Sequence, residues 1–288
     1  MNHLTELDLS LGGSGADALL SRSFVRYIEY HRELPSTNRT AVELLQSLIE
    51  RSPALVITAR QTAGRGRNGS LWWSSAGALT FSLVLDVARL TIPSERRPML
   101  ALAAGLAVQQ TIAEHLLPHD VRIKWPNDVL VGHRKICGIL TEQHAAGGRA
   151  GLITGIGVNV NNSLHNAPDD IRNRATAMCD IQHRSFDPLE ILVGILQQLE
   201  CRVRQLGTQP ESLIAELNDH HCMNGCLVTL QSGDRQVDGV CQAVDAGGNL
   251  VLLTGTELQR FPSGTVTGWS SPDPPASKRE GWTPGPAT

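Results

Sequence analysis

The chain has 288 residues, a formal net charge of −3, 41% hydrophobic residues and 18% charged residues. That length holds one large domain, or one with a small appendage, around a sizeable core, and the low charge excludes wholesale disorder. The slightly acidic balance argues against a protein that lives on nucleic acid; no apolar run reaches membrane-span length, and no basic start with an apolar core marks a secretion signal.

Residues 1–23 are weakly patterned and read as a loose N-terminal arm. From Ser36 to Thr40 the chain is polar and turn-like. Thr40 to Glu43 then reads as a capping box, with Ala41, Leu44, Leu45, Leu48 and Ile49 at helical spacing and Pro53 as the stop. Leu55 to Thr58 is a buried strand candidate, followed by a glycine-rich loop from Arg60 to Leu71. Leu79, Phe81, Leu83 and Leu85 alternate with Thr80, Ser82, Val84 and Asp86, which is strand periodicity. An Ala- and Leu-rich helix spans about 98–116. Val121, Ile123 and Trp125 alternate with Arg122 and Lys124, a strand with its cations on one face. Strands near 129–131, 136–142 and 152–160 follow. Asp187-Pro188-Leu189-Glu190 combines cap, first-turn proline and box glutamate, and starts a helix to about Leu206. After Asn224, short apolar runs separated by Ser232-Gly233-Asp234, Ala246-Gly247-Gly248 and Gly255-Thr256 make a small all-β unit. From Ser270 on, five prolines without periodicity read as a disordered tail.

Cysteine and lysine usage are both informative. The six cysteines are dispersed in a chain that is not small, which fits thiols in a reducing cytoplasm better than a disulfide framework. Cys222 and Cys226, with His220 and His221 just before, form at most a partial zinc pattern, and no second ligand pair has the spacing. Of 25 basic residues only Lys124, Lys135 and Lys278 are lysines. A compact, mobile ammonium retained among planar arginine forks marks a role that a fork cannot fill, chance placement aside.

Four segments carry chemistry. Gln61-Thr62-Ala63-Gly64-Arg65-Gly66-Arg67-Asn68-Gly69 places forked cations among glycines, whose backbone N–H groups form anion-holding concavities. It is neither a phosphate-binding GxxxxGK[ST] loop nor a dinucleotide fingerprint, and by itself it also fits a solvated surface turn. Lys124-Trp125-Pro126-Asn127-Asp128 is a rigid corner closing a strand. In Arg134-Lys135-Ile136-Cys137-Gly138-Ile139-Leu140-Thr141-Glu142, Lys135 opens a strand that Gly138 interrupts, as where a ligand or another backbone approaches closely. In Gly155-Ile156-Gly157-Val158-Asn159-Val160-Asn161, one face is packed and the other is nearly bare, which fits a flat group lying against it or an ordinary β-bulge.

In this order, and with Ser36-Thr37-Asn38 ahead of them, these segments resemble the biotin protein ligases over roughly residues 24–269. The resemblance implies an α+β fold: a catalytic domain over 24–221, related to class II aminoacyl-tRNA synthetases, with a mixed, mostly antiparallel sheet and helices on one side. It also implies an SH3-like barrel over 222–269, before a tail at 270–288. Ser36, Thr37, Asn38 and Gln61 would hold the biotin ureido head. Arg65, Gly66 and Arg67 would bind the carboxylate and the adenylate phosphate. Gly64, Trp72, Asn127 and Asn159 would lie around the nucleotide, and Lys135 would reach the reacting carboxylate and phosphate. Lys135 and Arg67 are the expected catalytic pair, with no protein metal site. The implied substrates are biotin, ATP with Mg²⁺, and a lysine of a biotin carboxyl carrier protein; relatives form homodimers, and no nucleic acid or membrane partner is implied.

The chain departs from the family in having Ser74-Ser75 where Ser-Pro is frequent and Asn68 where arginine is frequent. The residues before Phe24 hold Arg22 as their one cation, which points to a ligase that is not a DNA-binding repressor. The competing readings are a lipoate ligase or octanoyltransferase of the same fold, which would carry a different glycine-rich loop and no KWPND tryptophan, and a non-catalytic adenylate-binding regulator.

Overall fold

The computed structural model describes residues 14–165 and 167–270. They divide into two compact units, one reaching Cys222 and taking in Ala246–Gly248, the other comprising Met223–Asp245 and the chain from Asn249 on. In chain order the first unit holds α1 (Ser14–Arg22), β1 (Tyr27–Leu34), α2 (Thr37–Glu43), α3 (Leu45–Glu50), β2 (Ala54–Gln61), β3 (Ala78–Asp86), α4 (Leu100–His115), β4 (Val121–Lys124), β5 (Asp128–Val131), β6 (Arg134–Ala146), β7 (Arg149–Asn159), α5 (Asp169–Arg172), α6 (Met178–Gln182), α7 (Pro188–Thr208) and α8 (Pro210–His220).

Seven strands form one sheet in the order β1-β2-β3-β7-β6-β5-β4. Only β1 and β2 pair in parallel; every other neighbour is antiparallel. The register puts three rows side by side on one face: Thr80, Gly157 and Gly138; Ser82, Gly155 and Leu140; Val84, Ile153 and Glu142. At the third row α2 and α3 cover this face, packing Ala41, Leu45, Leu48 and Ile49 on Val56, Val84 and Ile153. The opposite face carries α4, whose Gly105 faces Ile123 and Ile139. The mixed α+β sheet agrees with the expected class, but helices cover both faces. The α2–α3 pair goes to the second face because Val56, Val84 and Ile153 need cover there, whereas Gly138, Gly155 and Gly157 leave part of the same face without side chains.

The second unit is the SH3-like five-stranded antiparallel sheet, β8 (Leu227–Ser232), β9 (Arg235–Val244), β10 (Leu250–Thr254), β11 (Glu257–Phe261) and β12 (Thr265–Ser270), in the order β11-β10-β9-β8-β12. Strands β8 and β9 bury alternate residues, Val228 and Leu230, Val237 and Cys241, whereas β10 buries Leu250, Val251 and Leu252 in succession. The proline-rich segment from 271 on lies outside the described residues.

Two local expectations change. Residues 14–22 are not a loose arm but helix α1, because Leu19 is fully buried and Arg22 is bidentate to Glu190 of α7. Helix α2 begins at Thr37, one turn before the expected box: Gln61 accepts the Thr37 N–H from outside the helix at 2.7 Å, and Glu43 pairs with Arg39 instead of folding back on Thr40. Strand β1 and helix α8 had no clear signal in the sequence pattern. By contrast, the start of α7 is as read, with the Asp187 carboxylate accepting from the Leu189 N–H. If α1 is packed in this way, Leu19→Ala lowers the unfolding free energy by about 2–4 kcal/mol in chemical denaturation; a loss below about 0.5 kcal/mol would return the segment to a loose arm.

Candidate active site

The loop after β2 is a small hairpin. Trp72 donates its backbone N–H to the Gly64 carbonyl and Gly66 donates to Ser70, with Arg65 and Leu71 bridged between them. A Cβ on Gly64 would stand 2.5 Å from the Trp72 carbonyl oxygen, so this crossing requires glycine. The turn closes through Asn68 in the left-handed region, at φ 52. Asparagine tolerates that conformation better than the arginine frequent in the family. The two tryptophans leave the hairpin in different directions. Trp73 packs on an apolar cluster of Leu164, Ala167 and Ala177. Trp72 lies flat on the sheet: a Cβ on Gly157 would be 2.5 Å from its ring, and one on Gly138 would be 3.3 Å from it. The flat group expected against the bare strand is thus, first, the chain's own indole.

Lys135 reaches the same face by an irregularity. Asp128 pairs with Gly138 and Val129 with Cys137, but Leu130 pairs with Lys135, so Ile136 is an extra residue in β6. Regular alternation would point Lys135 and Gly138 to opposite faces; the bulge re-aims the lysine. Its Nζ lies 2.9 Å from where a Gly138 Cβ would stand, 2.6 Å from Asp128 Oδ1 and 5.8 Å from the Trp72 ring centroid. Its backbone is held by Arg174 and Thr176. The neighbouring Cys137 is fully buried, and burial pushes its thiol up, so it stays protonated and is no nucleophile.

Arg67 is half-buried. Burial holds its guanidinium below its ordinary value, against the opposing pull of the Asp128 carboxylate, and its Nη1 stands 3.5 Å from Asn127 Oδ1. Asn127 is itself clamped to β6, donating to Ile139 O and accepting the Ile139 N–H through its backbone carbonyl. The corner therefore joins hairpin, β5 and β6 at one place, where Lys135, Asp128 and Arg67 converge.

At the next row, about 7 Å along the strands, the groups are neutral amides. Asn38 lies over Gly155, where a Cβ would be 2.1 Å from its Oδ1. Gln61 Oε1 takes both the N–H and the hydroxyl of Thr37, and its Nε2 lies against Gly64. Ser36, Thr37, Asn38 and Gln61 are all buried. Two expected residues sit differently. Arg65 is exposed on the hairpin. Asn159 is buried and donates to the Thr176 carbonyl while accepting from Asn162, so it holds the segment that braces Lys135. Among the described residues, no group of three His, Cys, Asp or Glu side chains could hold a metal ion.

The biotin/lipoate A/B protein ligase family model matches residues 30–161. The bifunctional ligase/repressor BirA of Bacillus subtilis is 32% identical over 84% of this chain and 74% of its own length. The biotin–[acetyl-CoA-carboxylase] ligase of Mycobacterium tuberculosis is 30% identical over 84% and 88%. The chain belongs to the biotin protein ligase family. The solved biotin protein ligase of Aquifex aeolicus, in complex with biotin and ATP, matches with a TM-score of 0.70 at 26% identity, over 86% of this chain and 100% of that one.

Within this ligase, sequence reasoning assigned no role to Asp128, Ser82 or Glu142. Asp128 was legible only as a turn residue. Ser82 could have been found as a polar side chain in a strand whose nine residues are all buried. The packing of Trp72 on the bare face has a direct consequence. Gly157→Ala costs about 1–3 kcal/mol by overpacking and moves tryptophan emission to longer wavelength, a shift that disappears when Trp72→Phe is added. A stable Gly157→Ala ligase with unchanged emission would contradict this packing.

Proposed function

We propose that this chain activates biotin with ATP to form biotinyl-adenylate, and transfers the biotinyl group to a lysine of a biotin carboxyl carrier protein such as that of acetyl-CoA carboxylase. One observation carries the reading: buried neutral amides and a converging pair of cations lie on the same bare sheet face, one strand repeat apart. A neutral cyclic urea fits the amide end. A valerate-length arm spans one repeat, and its carboxylate then falls at Lys135 and Arg67.

In the first step a carboxylate oxygen attacks the α-phosphorus of ATP, an acyl–phosphate bond forms, and diphosphate leaves. Two anions must meet, so the requirement on the protein is fixed positive charge and positioning. Lys135 supplies a mobile ammonium with donors for both the carboxylate and the phosphate. Asp128 holds it in place until a stronger anionic partner arrives. Arg67, always charged, closes the hairpin over the same point. Mg²⁺ enters as part of the nucleotide substrate. In the second step the carrier's neutral lysine amine attacks the acyl carbon, the amide forms, AMP leaves and the amine's excess proton is released. Folded over the sheet, the hairpin shields the mixed anhydride from water between the two steps.

Pyrophosphate release with Mg-ATP tests the reading when biotin, lipoate and octanoate are compared in parallel. Release with biotin alone is expected; release with lipoate or octanoate in its place would move the chain to the lipoyl branch. Lys135→Ala lowers the rate of pyrophosphate release roughly 100- to 1,000-fold, with little change in melting temperature because its ion pair is partly exposed. Turnover within about threefold of wild type would remove Lys135 from the chemistry.

A further inference from the structure

The Asn38 side chain is held by more bonds than a residue that merely lines a pocket requires. Its Nδ2 donates to Glu142 Oε2 at 2.8 Å and to the Leu140 carbonyl at 3.2 Å. Its Oδ1 accepts from the Ser82 hydroxyl at 2.6 Å. The direction of the amide follows from the chemistry of these partners. A carboxylate and a backbone carbonyl only accept, so the NH₂ must face Glu142 and Leu140, whereas a hydroxyl can donate to the oxygen. Turning the amide over would place its oxygen against the Glu142 carboxylate and the Leu140 carbonyl. Ser82 is fully buried in β3, and Asn38 supplies the partner its hydroxyl needs.

The network also extends across the sheet. Ser82 belongs to β3 and the second row; Glu142 belongs to β6 and the third. Gly155 of β7 lies between them and leaves the space that Asn38 Oδ1 occupies. Both amide hydrogens are committed within the protein, so the group Asn38 offers to a ligand is the second lone pair of Oδ1. A lone pair held in a buried site accepts an N–H and is left unpaired by a ligand that has none.

We propose that Glu142 and Ser82 are positioning residues that lock the Asn38 amide oxygen over Gly155, and that this fixed acceptor makes the site demand an N–H donor in the head group of the acid it activates. The inference rests on the reading that the acid is biotin, whose ureido ring carries such donors; octanoate has none. Glu142 touches no substrate in this scheme. Its carboxylate acts through Asn38, both by orienting the amide and by polarising it so that the oxygen is a stronger acceptor.

The test is steady-state pyrophosphate release by the whole chain, with KM measured separately for biotin and for ATP, in wild type, Glu142→Ala, Glu142→Gln and Ser82→Ala. Glu142→Ala raises the KM for biotin roughly 10- to 100-fold, the range set by losing hydrogen bonds to a charged group, while the KM for ATP and kcat stay within about twofold. Glu142→Gln restores the KM for biotin to within about threefold of wild type, because its amide oxygen accepts from Asn38 in the same place. Ser82→Ala raises the KM for biotin by about tenfold. In Glu142→Ala and Ser82→Ala, the preference for biotin over octanoate in equilibrium binding narrows by the same factor. A purely structural role would move both KM values and kcat together, and Gln would not rescue selectively. Wild-type activity with biotin combined with an unchanged biotin KM in Glu142→Ala overturns this inference alone. Wild-type inactivity with biotin overturns the proposed function and this inference together.

Discussion

The structure depends on a stretch of sheet with no side chains of its own. Gly138, Gly155 and Gly157 lie on adjacent strands and leave the face of β6 and β7 open where most sheets would present aliphatic groups. Glycine in a strand interior weakens the strand. Here the loss is offset by what the open face admits: Asn38 descends to Gly155 and Trp72 lies on Gly157 and Gly138. A methyl group at Gly155 or Gly157 would collide with one of them. The remaining elements hold those two side chains in place and bring charge to the same floor.

Two irregularities supply that charge and order. The extra residue at Ile136 turns Lys135 from the α4 face to the bare face, where Asp128 receives it. The hairpin at Gly64–Trp72 brings Arg67 to Asn127 and seats Trp72, with Trp73, partly buried against the Leu164 cluster, as its anchor. Gln61 links the two ends of the site, since it closes β2, caps α2 through Thr37 and lies against Gly64. A change at Gln61 therefore reaches both the amide end and the hairpin.

Much of this was legible in the sequence, and the boundary of legibility has physical causes. The glycines of β6 and β7 interrupt apolar patterns in a way that marks a close approach, and Lys135 stands out as one of three lysines in a chain that otherwise uses arginine. The start of α7 was readable because its signals are local, with cap, proline and glutamate within four residues. The start of α2 was misread because its cap is Gln61, 24 residues further along the chain. Helix α1 was missed because what holds it, the buried Leu19 and the contacts of Arg22 with Glu190 and Gln197 of α7, is not visible in a short window. Asp128, Ser82 and Glu142 escaped notice for a similar reason. Each is ordinary in its own segment and acquires meaning only when β3, β5 and β6 are brought into register.

The central claim is that the bare face of β6 and β7 is where the acyl-adenylate lies. It is tested most directly by a crystal structure of the chain bound to a non-hydrolysable analogue of biotinyl-adenylate. The account predicts the ureido ring over Gly155 with a ring N–H donating to Asn38 Oδ1, and the acyl–phosphate linkage within hydrogen-bond reach of Lys135 Nζ near Gly138. An analogue bound away from this face, or bound on it with its ring at the Lys135 end, would contradict the account.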